Sequence, residues 1–342
     1  MATLTATGIA DLVVTTLRDL GRLKFQQIAQ SLQDYEVFSK WFRKDKVVFD
    51  SGIGIQRTLM TKTSGAARFV GLLEEDSVNI PDVLTQLQVD WRHLTTSWAF
   101  IYQETLMNRG RAMVLNVIEP RRADALLSMV AEIEDKSWAC PAYGTTKEPY
   151  GVPYWIVTNA TEGFNGGAPS GYTTVGGVNP STYTTWKNWT AQYVTVNRTD
   201  LLKKMRTAHR KCNFKSPINI NDYRGGNGNR YRIYAGETVV SSLEDIATDQ
   251  NENLGRDIAQ LDNTVVFRNH PIIWIPKLDA DTTYPLYMID HQSFMPVCLR
   301  GDYLRESQAL RGPNQHNAFQ FFVDLSFNFL CIDRRRNAVF YK

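Results

Sequence analysis

The sequence predicts an α+β fold, and three observations predict it. Apolar residues recur at helical spacing before residue 36 and again after residue 120. Period-two alternation begins at Val47 and is broken by a polar turn, the pattern of a β-hairpin. A third stretch, Phe319 to Cys331, alternates without interruption.

Taken in order, the first 44 residues read as an amphipathic arm. Ile9, Leu12, Val13, Leu17 and Leu20 share one helical stripe, and Ile28, Leu32 and Tyr35 begin another after Gly21. Val47, Phe49, Ile53, Ile55 and Leu59 then alternate with mostly polar neighbours. The cluster Thr61–Gly65 predicts the turn, and Ala67, Phe69, Gly71 and Leu73 the return strand. A two-stranded hairpin is marginal in water, so its own domain or a neighbouring copy must cover its apolar face. A turn at Asn79–Asp82 and an extended stretch over Val83–Tyr102 follow.

Ala123, Leu126, Leu127, Val130 and Ile133 predict one face of a helix from Pro120 to Ala139. Such a helix is about 30 Å long, with the proline in its first turn. Pro149–Trp186 has another character. Its only charged residue is Glu162 and seven of its 38 residues are glycine, yet Tyr154, Trp155, Phe164, Tyr172 and Tyr183 lie in it. A solvated linker would not carry so many rings, so ordered, packed loops are expected.

Leu201, Met205, Ala208 and Cys212 predict a helix over 200–212, with Thr199 as its cap. Asn221–Arg230 is a turn-rich break. A strand at Tyr231–Ala235, a helix through Val239–Ala247 and strands in 265–276 and 286–299 come next. The thirteen alternating residues of 319–331 amount to a strand of roughly 43 Å. A strand and a helix of such length suggest an elongated, plate-like subunit.

Composition narrows the function. With 38 basic and 35 acidic residues among 342, the net charge of +3 is too balanced for a protein held to nucleic acid by charge alone. No run of 18 apolar residues occurs, so no membrane span is expected. The N-terminal residues do not read as a secretory signal, and the sequons at Asn159, Asn188 and Asn197 are then chance matches. Cys140, Cys212, Cys298 and Cys331 form no CxxC pair, and we expect buried, reduced thiols.

No catalytic signature is present. HExxH, GxSxG and GxxxxGK[ST] are absent, and Gly225-Gly226-Asn227-Gly228 precedes a strand instead of joining strand to helix. Asp290-His291 is at most half of a triad, and Asp279 with Asp281 a weak cation site. We expect no enzyme activity, catalytic residue, cofactor or metal. Two basic clusters remain, Lys203–Lys211 and Arg334–Arg336. They read as a solvated helix face and an inter-subunit salt-bridge site, with phosphate contact as the competing reading.

The order of arm, hairpin, long helix, mixed region and long strand resembles the major capsid proteins of tailed double-stranded DNA phages. Strings that carry the likeness include Lys46–Gly52, Trp91-Arg92-His93, Met107-Asn108-Arg109, Ser137-Trp138-Ala139, Thr182–Trp189, Tyr234-Ala235-Gly236 and Asn328–Asn337. The resemblance implies a Hong Kong 97-like capsid fold: an N-arm (1–45), an extended β-hairpin loop (46–90), a peripheral domain with a long spine helix (91–140 and 300–342) and an axial domain (141–299).

It also implies a coat protein forming hexamers and pentamers of an icosahedral shell around double-stranded phage DNA. The shell would be part of the virion and built in the host bacterial cytoplasm. Partners would be further copies, a separate scaffolding protein, a portal at one vertex and, as an option, a decoration protein, with no membrane. Candidate contacts between subunits are Trp41 on the arm and Arg57, Lys62 and Arg68 on the hairpin. The competing readings are a soluble α/β glycan hydrolase and a phage tail or decoration protein.

Overall fold

The computed structural model describes residues 33–62, 67–69, 83–107, 118–214, 230–250, 265–268, 270–312 and 315–342. The arm stripes before residue 33, the turn at 79–82 and the break at 221–229 lie outside them. The described elements begin with helix α1 (Val37–Asp45, π-type), β1 (Val47–Phe49), β2 (Gly54–Met60), β3 (Leu84–Asp90) and β4 (Arg92–Ile101). Helices α2 (Tyr102–Met107), α3 (Ile118–Ser137) and α4 (Val152–Trp155) follow, then β5 (Gly163–Gly166) and β6 (Asn188–Gln192). Next come α5 (Leu201–Lys211), β7 (Tyr231–Ala235), α6 (Glu237–Gln250), β8 (Val266–Phe267) and β9 (His270–Trp274). The remaining strands are β10 (Leu286–Asp290), β11 (Phe294–Leu299), β12 (Arg305–Glu306), β13 (Leu310–Gly312), β14 (Gln315–Cys331) and β15 (Ala338–Tyr341).

The chain divides into two compact units. Among the described residues the first holds 93–107, most of α3 and 301–326, and the second holds 36–92, 134–300 and 327–342.

In the first unit, β12 and β13 run antiparallel to β14, with Arg305 opposite Asp324 and Arg311 opposite Phe319. The alternation along β14 sends Val323 and Leu325 inward. The Trp98 and Phe321 rings lie parallel at 4.2 Å, and Phe100 stacks on Phe319 at 5.4 Å. Thr96 Oγ1 donates to the Ala125 carbonyl of α3, and Arg122 makes two hydrogen bonds to Glu306. The inward face of α3 is Ala125, Met129 and Ile133. Leu126, Leu127 and Val130, expected on the core face, are half-buried at its flank.

The second unit holds a seven-stranded sheet in the order β5-β6-β15-β10-β7-β9-β8. β15 is parallel to β6 and antiparallel to β10, and β7 is antiparallel to β10 and parallel to β9. Helix α5 buries Leu201, Leu202, Met205 and Ala208 in one cluster with Ala191, Ile233, Met288 and Phe340. Burying each large side chain there stabilises the fold by about 1.5–3 kcal/mol. Elsewhere in this unit β1 is parallel to β11, and β11 is antiparallel to residues 327–331 of β14.

Helix α1 is anchored through Val37, Trp41 and Phe42, all fully buried. The Trp41 indole meets the rings of Trp138, Tyr234, His291, Phe294 and Phe329 at 4.9–6.0 Å and donates to the Tyr234 hydroxyl at 2.8 Å. That hydroxyl lies 2.8 Å from His291 Nε2. Glu134 closes the anchor: its oxygens accept the Val37 amide (2.9 Å) and the Trp138 indole N–H (3.0 Å). Burial pushes the Glu134 carboxyl up to about 7, and the nearby Glu36 carboxylate adds to the rise.

Three local expectations need correction. The return strand of the hairpin is β3, not Ala67–Leu73. β2 pairs with β3 from Gly54↔Asp90 to Met60↔Leu84, and residues 67–69 are exposed and outside any strand. In this pairing Leu87 and Val89 are buried beside Ile55 and Leu59. Thr199 does not cap α5, because its hydroxyl donates to Asn197, while Asp200 accepts the Val194 and Thr195 amides and pairs with Lys204. Cys140 is exposed, whereas Cys212, Cys298 and Cys331 are buried free thiols.

Candidate assembly surface

The hairpin stem presents two unlike faces. Ile55, Leu59, Leu87 and Val89 are buried on one, and Gln56, Thr58, Gln86 and Gln88 are exposed on the other. Gln86 Nε2 donates to Gln56 Oε1 across that polar face at 3.0 Å. The apolar face has its covering layer in its own chain. The Gln88 amide donates to the Gly176 carbonyl at 3.0 Å, and Thr185 Oγ1 donates to the Thr61 carbonyl at 2.8 Å. Gly176 lies so close to Leu87 that a Cβ there would sit 2.3 Å from its Cδ1, at a backbone φ of +61°. Of the two ways of covering the stem, by its own domain or by a neighbouring copy, the structure shows the first: residues 175–187 cover it.

Nearly all of that covering segment belongs to the ring-rich stretch 149–186, which is ordered and largely irregular. Tyr150 stacks on Tyr154 at 4.0 Å, and Tyr154 meets Trp155 and Tyr172 edge-on. The Tyr154 hydroxyl accepts the Gly176 amide, and Trp186 Nε1 donates to the Val175 carbonyl. The segment has hydroxyl, amide and indole donors but no Lys, Arg or His of its own, and several of its inward carbonyls are satisfied from outside it.

Arg334 satisfies them. Its side chain is fully buried. Nε donates to the Trp155 carbonyl (2.6 Å), Nη1 to Trp186 (2.8 Å), and Nη2 to Gly167 (2.7 Å), Gly166 (3.3 Å) and Asn188 Oδ1 (3.1 Å). Burial pulls the guanidinium down to about 10, still protonated at neutral pH. Gly166 is required here, since a Cβ would come 2.0 Å from Asn188 Oδ1. Neither reading of the 334–336 cluster holds for Arg334, which is an internal staple. Arg335 is exposed over the Phe164 ring, and Arg336 pairs with Asp333.

The four expected contact residues separate cleanly. Trp41 is enclosed by its own chain and offers no surface to another copy; an aromatic residue in a helical stripe is equally a core anchor, and here it is one. Arg57 is exposed opposite Leu87 in the stem. The Lys62 ammonium sits 5.4 Å from the Tyr183 ring centre. Arg68 is exposed beside Phe69, whose side chain is fully in solvent. Arg57, Lys62 and Arg68 thus form a cationic, accessible set, with exposed Met60 and Leu84 at the β2–β3 end near Lys62. Sequence reasoning missed the internal role of Arg334; the signal was a 38-residue ring-rich segment without a Lys, Arg or His of its own.

Catalytic arrangements do not form from the residues flagged for them. His291 faces the Tyr234 hydroxyl, and Asp290 accepts the Gln292 amide. Asp279 accepts the Glu237 amide and the Trp274 indole N–H, while Asp281 holds Thr283. Buried Ser326 lies between His93 and Asp302, donating to the latter; a nucleophilic serine needs the histidine between itself and the acid. Among the described residues no group of three His, Cys, Asp or Glu side chains is placed to hold a metal ion, and no helix is long and apolar enough to cross a membrane.

No protein-family model and no curated protein matches the chain. Solved structures do. The capsid subunit of cyanophage A-1(L) is similar over 96% of this chain and 98% of its own, with a TM-score of 0.65 and 12% identity. The fold is a capsid-protein fold. The capsid subunit of a native GTA particle matches over 100% of this chain and 99% of its own, at a TM-score of 0.54 and 9% identity. The SrpI encapsulin of Synechococcus elongatus matches over 97% and 94%, at 0.52 and 9%. The Hong Kong 97-like capsid fold expected from the sequence agrees with these neighbours along the whole chain. The hydrolase alternative gains no support from them.

Proposed function

We propose that this chain is the major capsid protein of a tailed double-stranded DNA phage, assembling into hexamers and pentamers of an icosahedral shell. One observation supports this above the others: the end-to-end likeness to shell subunits, at a TM-score of 0.65 with almost nothing left over on either chain. Shell stability then comes from many modest interfaces acting together, so that no copy leaves alone. In this reading residues 1–45 are the N-arm, 46–90 the extended loop, 91–140 with 300–342 the peripheral domain, and 141–299 the axial domain. Residues 36–45 serve as the root of the arm, since they are packed in their own unit. A scaffolding protein, a portal and a decoration protein are the further partners, assembly takes place in the host bacterial cytoplasm, and the product resides in the virion.

Arg57, Lys62 and Arg68 are the proposed contacts to a neighbouring copy. The test is electron microscopy of the chain expressed with its phage neighbours, beside the variant Arg57→Glu/Lys62→Glu/Arg68→Glu. Closed particles from the parent chain support the shell reading, and a solitary monomer at high concentration overturns it. A folded variant that forms no particles supports the three contacts; normal particles from the variant remove them. The encapsulin likeness favours a second reading, a protein shell with contents other than DNA. Nucleic acid in purified particles decides between the two.

A further inference from the structure

Helix α5 carries five basic residues in eleven, Lys203, Lys204, Arg206, Arg210 and Lys211, and no acidic one. The chain as a whole is only +3. The buried side of the helix, Leu201, Met205, Ala208 and Cys212, fixes its orientation on the sheet. Lys203, Arg206, Arg210 and Lys211 are consequently all exposed on the opposite side. Of the five, Lys204 alone has a carboxylate partner among the described residues, Asp200. A sixth cation joins them: Arg268 is exposed, and its Nη1 lies 3.3 Å from Nδ1 of His209 on the same helix.

A helix face kept for solubility mixes signs, because Glu–Lys pairs at i, i+4 stabilise it and like charges at that spacing do not. This face holds like charges at Lys203/Arg206 (i, i+3) and Arg206/Arg210 (i, i+4), at a cost to the isolated helix. Cations near the C-terminus relieve the helix dipole, which accounts for Arg210 and Lys211 but not for Lys203 and Arg206 in the first two turns.

We propose that this face of α5, with Arg268, binds the phosphodiester backbone of double-stranded DNA without reading its sequence. From Lys203 to Lys211 the helix rises about 12 Å, over which a duplex presents roughly seven phosphate charges. No aromatic side chain interleaves with the cations on α5, so the face lacks the stacking platform that a single strand requires. An acidic face of a second copy is the competing occupant, and the test below separates the two. The identity of the polyanion rests on the shell reading; the cationic face, without acidic partners for Lys203, Arg206, Arg210 and Lys211 among the described residues, does not.

The test measures binding of a labelled random-sequence 30-base-pair duplex to the full-length chain by fluorescence anisotropy, from about 50 to 200 mM salt. The variant is Lys203→Gln/Arg206→Gln/Arg210→Gln/Lys211→Gln, with circular dichroism confirming its fold. Arg43→Gln/Lys44→Gln/Lys147→Gln/Arg335→Gln, four exposed cations outside α5 and the hairpin, serves as a control of equal charge loss. We expect the α5 variant to lose at least about 100-fold in affinity at 50 mM salt. Its dependence of log affinity on log salt becomes shallower by about 3–4, near 0.9 per phosphate contact removed. The control variant binds like the parent chain.

Absence of duplex binding by the parent chain at 50 mM salt overturns the proposal, as does an α5 variant with unchanged affinity and slope. Microscopy of the same variant separates the two readings. Normal shells that hold less DNA support the proposal, and a variant that fails to form shells yet binds duplex normally makes the face a contact between copies. Should the parent chain form no shells but bind duplex through these cations, the shell reading fails and the DNA site stands.

Discussion

The hairpin stem and the segment that covers it solve one problem in opposite ways. In β2–β3 the backbone satisfies itself through a regular ladder from Gly54↔Asp90 to Met60↔Leu84, and half of the side chains remain in water. In 149–186 much of the apolar material is buried, but few strands or helices are present to absorb the carbonyls, and one guanidinium takes up several of them. Order therefore does not depend on regular secondary structure. It depends on every inward polar group finding a partner, whichever residue supplies it.

The comparison is broken most forcefully at Arg334. Arg334→Met keeps the volume and removes every donor, leaving the carbonyls of Trp155, Gly167 and Trp186 without their partner. We expect a loss of at least about 4 kcal/mol in urea or thermal unfolding, because each buried orphan costs about 1–3 kcal/mol. A loss below 1 kcal/mol would mean that ring packing alone holds the segment. The staple is also insensitive to pH: with the guanidinium near 10, its state does not change between pH 5 and 8.

The anchor of α1 differs in this respect. The Glu134 carboxyl, near 7 in the folded chain against an ordinary 4.5, holds its proton more tightly when folded. Its contribution to stability is complete below about pH 4.5 and is lost as pH rises through 7. The full change amounts to about 3 kcal/mol. Measured as a difference, the parent chain should lose ground against Glu134→Gln between pH 5 and pH 8. Parallel curves would show that the group does not titrate there.

In the stem, Leu87→Ala should cost about 2–3 kcal/mol and speed hydrogen exchange at the Gln88 amide, which reports the contact with Gly176. At the small end, Gln86→Ala on the exposed face should change the melting free energy by less than about 0.5 kcal/mol. A larger effect would reveal a second packing partner for that face.

Much of this fold is legible in the sequence where periodicity is long and local. The alternation of 319–331 lies inside β14, the helix expected at 120–139 is α3 at 118–137, and the elements at 231–235 and 200–212 are β7 and α5. Local periodicity could not choose the partner of β2, because pairing is decided by burial on distant segments, here Leu87 and Val89 of β3. It could not place Trp41 or Arg334 either. A tryptophan in an amphipathic stripe and the first of three arginines look the same in sequence whether they face solvent or the interior. Only the tertiary demand, a ring cluster for one and a set of orphaned carbonyls for the other, distinguishes them. Arg57 and Lys62 are legible as exposed because polar residues on a short stem have nowhere else to go.

Strand β14 has a consequence for how the chain comes off the ribosome. Every strand it pairs with precedes it, and its residues complete the pairing of β12 and β13 in one unit and of β11 in the other. Until those late residues are synthesised, the nascent polypeptide lacks a central strand in both places and cannot adopt a finished surface. Any contact that needs the finished surface is thereby delayed until translation of the chain is nearly done.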